Sequence, residues 1–258
     1  MEKYSVLTYN IGGYEVLHEI KEKSENAEYI YVTTDRSITS STWNVVYVDN
    51  PHPEDNFDLC YQIRFNPFDY VNTDLVVRID GSIQINGSLD YIVDFFRKGD
   101  YDIALCIHPT RADLYSEYVA WVQQRNYPLE QANKVLNFLV GMEGYDVQNY
   151  KGLYQYNFMI QKNDKFNNCL NEMTLAYLRY LAPNDKYIER IDQTIGSFVI
   201  NKYFNQSKVL PVSQSLFLES KYFTWMAHGS NTPLKGGNAN YSQPYLFNKP
   251  IDCIYLGE

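Results

Sequence analysis

Short apolar runs recur along the chain, separated by polar turns and by stretches in which apolar residues return every three or four positions. Tyr4 to Thr8 (YSVLT) reads as a buried strand, followed by the polar turn Tyr9-Asn10-Ile11-Gly12-Gly13 and a predicted short helix ending at Lys23. Further strands are predicted at Tyr29 to Thr33, Asn44 to Val48, Leu75 to Ile79, Ile103 to Ile107 and Phe158 to Ile160. Leu114, Tyr118, Trp121 and Val122 recur at helical spacing, as do Leu129, Ala132, Val135, Leu136 and Leu139 up to Gly141. Met173 to Leu181 and Ile195 to Tyr203 follow the same rule. Strands alternating with helices predict an α/β fold: a mixed, mostly parallel central sheet with helices on both faces. With no internal repeat, linker or charge block, a single domain over residues 1–258 is expected. Ligands of such sheets sit beyond the carboxyl ends of the strands. The loops after Thr8 and after Ile79 are therefore the places to search.

Composition narrows the ligand only in part. Of 258 residues 45% are hydrophobic and 21% charged, with 13 Gly and 10 Pro, which excludes a disordered or collagenous chain. The 25 tyrosines suit stacking on a sugar or base as well as they suit a core. A net charge of −9 excludes a broad electrostatic grip on nucleic acid, so any phosphate must be met locally by a cation, an Arg or Lys, or backbone N–H groups. The first residues lack an apolar run of signal-peptide length and no stretch has the length of a membrane span, so a cytoplasmic protein is expected. Cys60, Cys106, Cys169 and Cys253 are scattered and read as free thiols.

Five segments carry candidate chemistry. In Tyr9-Asn10-Ile11-Gly12-Gly13-Tyr14 the glycines permit close backbone approach to a ligand, although the spacing is neither a dinucleotide fingerprint nor a P-loop, and an ordinary turn explains it too. Asp80-Gly81-Ser82-Ile83-Gln84 closes an apolar strand. In extended backbone it presents oxygen ligands for Mg²⁺ or Mn²⁺ on one face; as a β-turn its Asp bonds its own backbone. His108-Pro109-Thr110-Arg111, with Glu117 beyond it, offers a fork for phosphate or carboxylate, or else an internal ion pair. Arg190-Ile191-Asp192-Gln193 opens a helix, where capping accounts for Asp192 but not for Gln193. Trp225 to Ser230, with His228, and then Lys235 lie in a glycine-rich loop able to add imidazole and ammonium to a diphosphate site.

Taken in order, YNIGGYE, VTTD, IRFNP, RIDGSIQI, HPTRADLYSE, KGLYQYNFMI and RIDQTIGSF resemble a glycosyltransferase-like family of bacterial capsule and surface-polysaccharide proteins and plant Golgi proteins, first known as a domain of unknown function. The resemblance covers about residues 4 to 204. It implies a GT-A type domain, with residues 1–100 as the nucleotide-sugar half and residues 101–258 as the acceptor half and C-terminal loop. It implies transfer of a hexose from a nucleotide sugar, a UDP-sugar first, to a glycan or lipid-linked acceptor, with no nucleic acid as partner and with peripheral membrane contact compatible. Asp80 stands where such enzymes have the first acid of an Asp-x-Asp metal motif; Ser82 replaces the second. The implied metal set for Mn²⁺ or Mg²⁺ is Asp80, Ser82 and His228. Thr8, Tyr9, Asn10, Gly13, Asp35, Arg64, Arg78 and Lys235 are the implied nucleotide-sugar contacts, His108 and Arg111 contacts for acceptor or phosphate, and Asp192 and Gln193 the catalytic pair. The competing expectation is a degenerate relative that binds sugar or nucleotide without turning it over.

Overall fold

The computed structural model describes residues 2–124, 128–147, 152–182, 191–217 and 220–234. The apolar runs build a seven-stranded sheet in the spatial order β3-β2-β1-β4-β7-β6-β8. Its strands are β1 (Tyr4–Asn10), β2 (Ala27–Thr33), β3 (Asn44–Tyr47), β4 (Leu75–Ile79), β6 (Ile103–Ile107), β7 (Tyr154–Lys162) and β8 (Val209–Val212). The pairs β1–β2, β2–β3, β1–β4 and β6–β8 are parallel, while β7 runs antiparallel to both β4 and β6. A two-stranded sheet joins β5 (Ile83–Ile85) to β9 (Phe223–Trp225). The helices are α1 (Asn56–Phe65), α2 (Asp90–Lys98), α3 (Leu114–Gln124), α4 (Leu129–Asn137), α5 (Lys165–Leu181) and α6 (Asp192–Tyr203).

Because strand side chains alternate between faces, the apolar runs supply two cores at once. Tyr4, Val6, Tyr31, Val77 and Ile160 share one with Ile92, Val93 and Phe96 of α2. On the opposite face Leu7, Val32 and Val76 pack with Ile63 of α1, and Leu105 and Met159 pack among residues of α3 to α6. The expected α/β layout with a mostly parallel sheet and helices on both faces is therefore present. Among the described residues no helix is long and apolar enough to cross a membrane. Cys60, Cys106 and Cys169 are free thiols, and Cys253 lies outside the described residues.

Several elements depart from the sequence expectation. The helix expected to run to Lys23 is absent, because its polar groups are committed elsewhere: Ile20 N–H donates to Thr42 Oγ1 at 3.0 Å, Lys21 N–H to Ile85 O at 3.0 Å, and the His18 carbonyl accepts from the Trp43 indole at 2.9 Å. Glu19 accepts from Ser40 Oγ at 2.7 Å and from the Thr42 backbone at 3.1 Å, pinning the loop before β3. Helix α1 was not expected: its apolar residues Phe57, Leu59, Tyr61, Ile63 and Phe65 fall at every second position, the period of a strand. As a helix it is wedged between two clusters, Tyr61 and Phe65 in one and Ile63 in the other. The pattern up to Gly141 divides into α4 and a π-helical turn over Phe138–Met142. Strand β7 is longer than expected, and its pairing with β6 shifts register between Leu105 and Cys106, so that Leu105 faces Met159 but Cys106 faces Gln155. The intervening bulge lies beside the end of β4.

Two outcomes follow from this packing. A Cβ at Gly196 in α6 would stand 2.1 Å from Tyr156 Oη. Gly196→Ala should therefore destabilise by ~1–3 kcal/mol on urea unfolding, although alanine ordinarily favours a helix. For Glu19, burial raises the carboxyl pKa, but hydrogen bonds from Thr42, Ser40 and Ser41 outweigh it and leave the value below normal. A depressed folded pKa stabilises above the unfolded value and loses that contribution as pH falls through the folded one. Glu19→Gln should thus lower the melting temperature at pH 7, with the gap to the parent closing below about pH 4.3. A constant gap down to pH 2 would contradict that origin.

Candidate functional site

The site grows out of the sheet topology. Strand β2 lies on one side of β1 and β4 on the other, which makes the carboxyl ends of β1 and β4 a topological switch point, where the connections diverge and leave a crevice. A cavity of about 830 Å³ occupies that place. Its wall comes from the turn after β1, from α1, from Asp80 and Gly81 after β4, from the β7 bulge (Gln155, Tyr156 and Asn157), from the first residues of α6, and from Trp225 and His228.

The turn after β1 is built to bare its backbone. Gly12 and Gly13 adopt φ of 73° and 70°, a left-handed conformation that glycine takes without penalty. A Cβ on Gly12 would meet Asn56 Nδ2 at 2.3 Å, and Gly12 N–H donates to Thr34 Oγ1 at 3.1 Å. Asn10 fastens the far side: its Nδ2 donates to the Glu15 carbonyl at 2.5 Å and its Oδ1 accepts from Glu15 N–H at 3.0 Å. Tyr14 is left 55% exposed at the rim, its ring 5.4 Å from that of His228.

A charged network fills the cavity floor. Arg64, in the last turn of α1, donates from Nε to Tyr9 Oη at 2.8 Å, from Nη1 to Asp192 Oδ2, and from Nη2 to Asp80 Oδ1 at 3.1 Å. Arg78 reaches the same Asp80 Oδ1 from below at 3.2 Å and gives its other terminal nitrogen to the Tyr156 carbonyl. The Arg64 and Asp192 side chains are 15% and 8% exposed, and that of Arg78 is 0% exposed. Burial works against the charge on Arg64, but Asp192 first, then Tyr9 and Asp80, hold its pKa well above the usual value. For Arg78, burial followed by repulsion from Arg64 acts downward, yet a guanidinium keeps its proton inside a protein. Asp192 sits in the first turn of α6, where the helix dipole favours an acid. Cys60, also on the wall, has its thiol pushed up to about 12 by burial and is no thiolate nucleophile.

The residues expected to hold a divalent cation do not fit one. Ser82 is 1% exposed and its Oγ accepts from the Trp225 indole at 3.2 Å. The Ile83 N–H donates to the Asp80 carbonyl at 3.0 Å, so Asp-Gly-Ser forms a turn rather than a row of ligands. His228 Nδ1 meets Glu15 Oε1 at 2.5 Å, and the Gly229 N–H donates to Oε2 of the same carboxylate at 2.9 Å. Asp80 Oδ1 accepts from two guanidiniums. Among the described residues no group of three or more His, Cys, Asp and Glu side chains is arranged for a metal ion.

Of the other expected contacts, Tyr9, Asn10, Gly13, Arg64, Asp80, Asp192, Gln193 and His228 line the cavity together. Thr8 is buried within β1 below the turn, and Arg78 lies beneath the floor with no exposed surface. Asp35 turns to its own loop, accepting from the Ser37 N–H at 2.8 Å and hydroxyl at 2.6 Å. Lys235 lies outside the described residues. His108 and Arg111 do not form part of the wall. Arg111 Nη1 pairs with Glu117 at 2.5 Å and its Nε donates to His108 at 2.9 Å, the internal ion pair of the two alternatives. Their contribution is indirect. The Glu117 side chain, 0% exposed, accepts from the Trp121 indole at 2.9 Å and from Gln193 Nε2 at 2.5 Å. An ionised carboxylate only accepts, so this bond fixes which end of the Gln193 amide it holds and leaves Oε1 as the other. Glu15, Gln155 and Asn157 were missed from the sequence. The last two reach the cavity through a bulge that no local pattern announces.

Compared with known proteins, the chain matches no family model and no curated sequence.

Breaking the buried Arg111–Glu117 pair from the acidic side should be costly. Glu117→Leu is expected to destabilise by ~3–5 kcal/mol, read by urea unfolding. A loss under ~1 kcal/mol would show that the pair does not anchor the segment before α3 to that helix.

Proposed function

We propose that the protein is a glycosyltransferase that moves a hexose from a nucleotide sugar, with a UDP-sugar as first choice, to a glycan or lipid-linked acceptor in surface-polysaccharide synthesis. The observation that carries this reading is the buried Arg64–Asp80–Asp192 network at the sheet's switch point, facing the backbone-lined Gly12–Gly13 turn. A cavity of 830 Å³ is in the size range of small-molecule and cofactor sites. The glycine turn suits a diphosphate at Gly13: Gly12 N–H is held by Thr34, but nothing stands within 4 Å of where a Gly13 Cβ would be, so a phosphate oxygen can approach that backbone. Tyr14, exposed at the rim, offers a stacking face to a base.

In this reading the bond between the anomeric carbon and the diphosphate oxygen breaks, and the electron pair leaves with the diphosphate. Arg64 lies where that growing charge can be met by a fixed guanidinium in a site shielded from bulk water, the condition under which such a partner contributes most. Asp192, held by Arg64, and Gln193, held by Glu117, face the reacting sugar from the start of α6. Asp192 steadies positive character on the sugar ring, and the Gln193 amide oxygen orients a hydroxyl. The acceptor hydroxyl oxygen then forms the new bond at the vacated carbon, and its proton passes to the released nucleoside diphosphate. On the same reading the enzyme works in the cytoplasm, with its acceptor in solution or at a membrane surface.

The second reading, a protein that holds a sugar or nucleotide without turning it over, is favoured by one observation: the Asp-Gly-Ser turn presents no convergent ligand set for a cation. Incubation with a panel of nucleotide sugars and release of free nucleotide separates the two. With the donor so identified at saturation, Asp192→Ala should lower the rate by ~10²-fold or more. Unchanged turnover would remove Asp192 from the mechanism, and saturable binding with no release would favour the binder.

A further inference from the structure

We propose that this site receives a nucleoside diphosphate with the Arg64 guanidinium as its counter-charge and without a divalent cation. The inference rests on the nucleotide-sugar reading above and concerns how the diphosphate of that ligand is neutralised. Its first support is the ligand inventory. A hard cation beside a diphosphate takes one or two protein carboxylates together with phosphate oxygens and water. Asp80 Oδ1 accepts from Arg64 at 3.1 Å and from Arg78 at 3.2 Å, so a cation at Asp80 would approach two guanidiniums bound to its strongest ligand. Ser82 Oγ is spent on Trp225, and His228 is drawn to Glu15.

The second support is the charge balance. Arg64 and Arg78 stand against Asp80 and Asp192, so the floor carries no net negative charge to repel a phosphate. Arg78 is wholly buried and cannot touch a ligand. Its position gives it a different part: it neutralises Asp80 from beneath, so that this carboxylate does not repel an incoming phosphate, the task a metal performs elsewhere. Arg64 is then the group that faces the ligand. It donates three hydrogen bonds, to Tyr9, Asp192 and Asp80, out of the five N–H donors that a guanidinium carries. The remaining donors, together with the one released if phosphate replaces Asp80, match the paired oxygens of a diphosphate.

The test is calorimetric titration of the intact protein with UDP, first in EDTA and then with excess Mn²⁺. The two dissociation constants should agree within about twofold. Arg64→Lys, which keeps the charge but loses the planar fork, should weaken UDP about tenfold or more in both buffers, with its melting temperature checking that the variant is folded. The wild-type comparison stands whether or not that variant folds. UDP binding that appears only with Mn²⁺, or tightens about tenfold with it, overturns the inference and leaves the nucleotide-sugar reading intact. UDP binding in neither buffer overturns that reading and the inference with it.

Discussion

The guanidinium of Arg64 is the point through which the rest of the site is fixed. A charge buried to this degree is tolerable only when paired and hydrogen-bonded on several sides, and its partners come from three separate elements: Tyr9 at the end of β1, Asp80 after β4 and Asp192 at the start of α6. Those elements also carry part of the cavity wall. The two strands belong to the sheet, whereas α6 belongs to the helical layer packed on one face of it. One side chain on α1 thus sets the distance between layer and sheet at the place where a ligand would enter. Such an arrangement gives rigidity more readily than net stability, since taking these charges out of water costs about as much as their attraction returns.

The same constraint explains the neighbouring glycines. With Tyr9 held by Arg64, the chain must leave β1 in a fixed direction and turn within a few residues. Asn56, in the first turn of α1, leaves no room for a side chain on Gly12. Asn10 then replaces missing backbone pairs by bracketing Glu15, and Glu15 in turn holds His228 and Gly229 from the far end of the chain. A line of local bonds runs from the first strand to the segment after β9. None of them is strong alone, and together they shape the cavity rim.

Much of the sheet was legible because a buried parallel strand is an apolar run bounded by turn residues, and YSVLT, LVVRI and IALCI are of that kind. The turns after the first and fourth strands could be placed for the same reason. Helix α1 could not, since an apolar residue at every second position imitates a strand, and only the two clusters on either side of it reward the helical form. That failure matters for the site, because Arg64 lies on this helix and its role depends on the helix docking against β1 and α6. Asp80 was read from its place after an apolar strand. The pairing of Arg64 with it and with Asp192 was not, as contacts across 16 and 128 positions leave no trace in local spacing. The residues of His-Pro-Thr-Arg showed the opposite case: their types suggested contact with an anion, and folding turned them inward onto Glu117.

The acidity of the chain acquires a narrower meaning from this geometry. A net charge of −9 describes the surface as a whole, whereas the cavity floor is locally balanced, with two arginines matched against two aspartates. Surface charge beyond a Debye length is screened, and the buried groups are not. An anionic ligand arriving at such a site therefore responds to Arg64 and to the Gly12–Gly13 turn far more than to the sum of the charges. Two of the floor's four charges lie on β4 and its turn, one on α1 and one on α6, so the balance exists only once the helices have docked on the sheet. On the proposed function, fold and anion site form as a single event: the ion pairs that settle α1 and α6 against the strands are the ones that the proposed site offers to a phosphate.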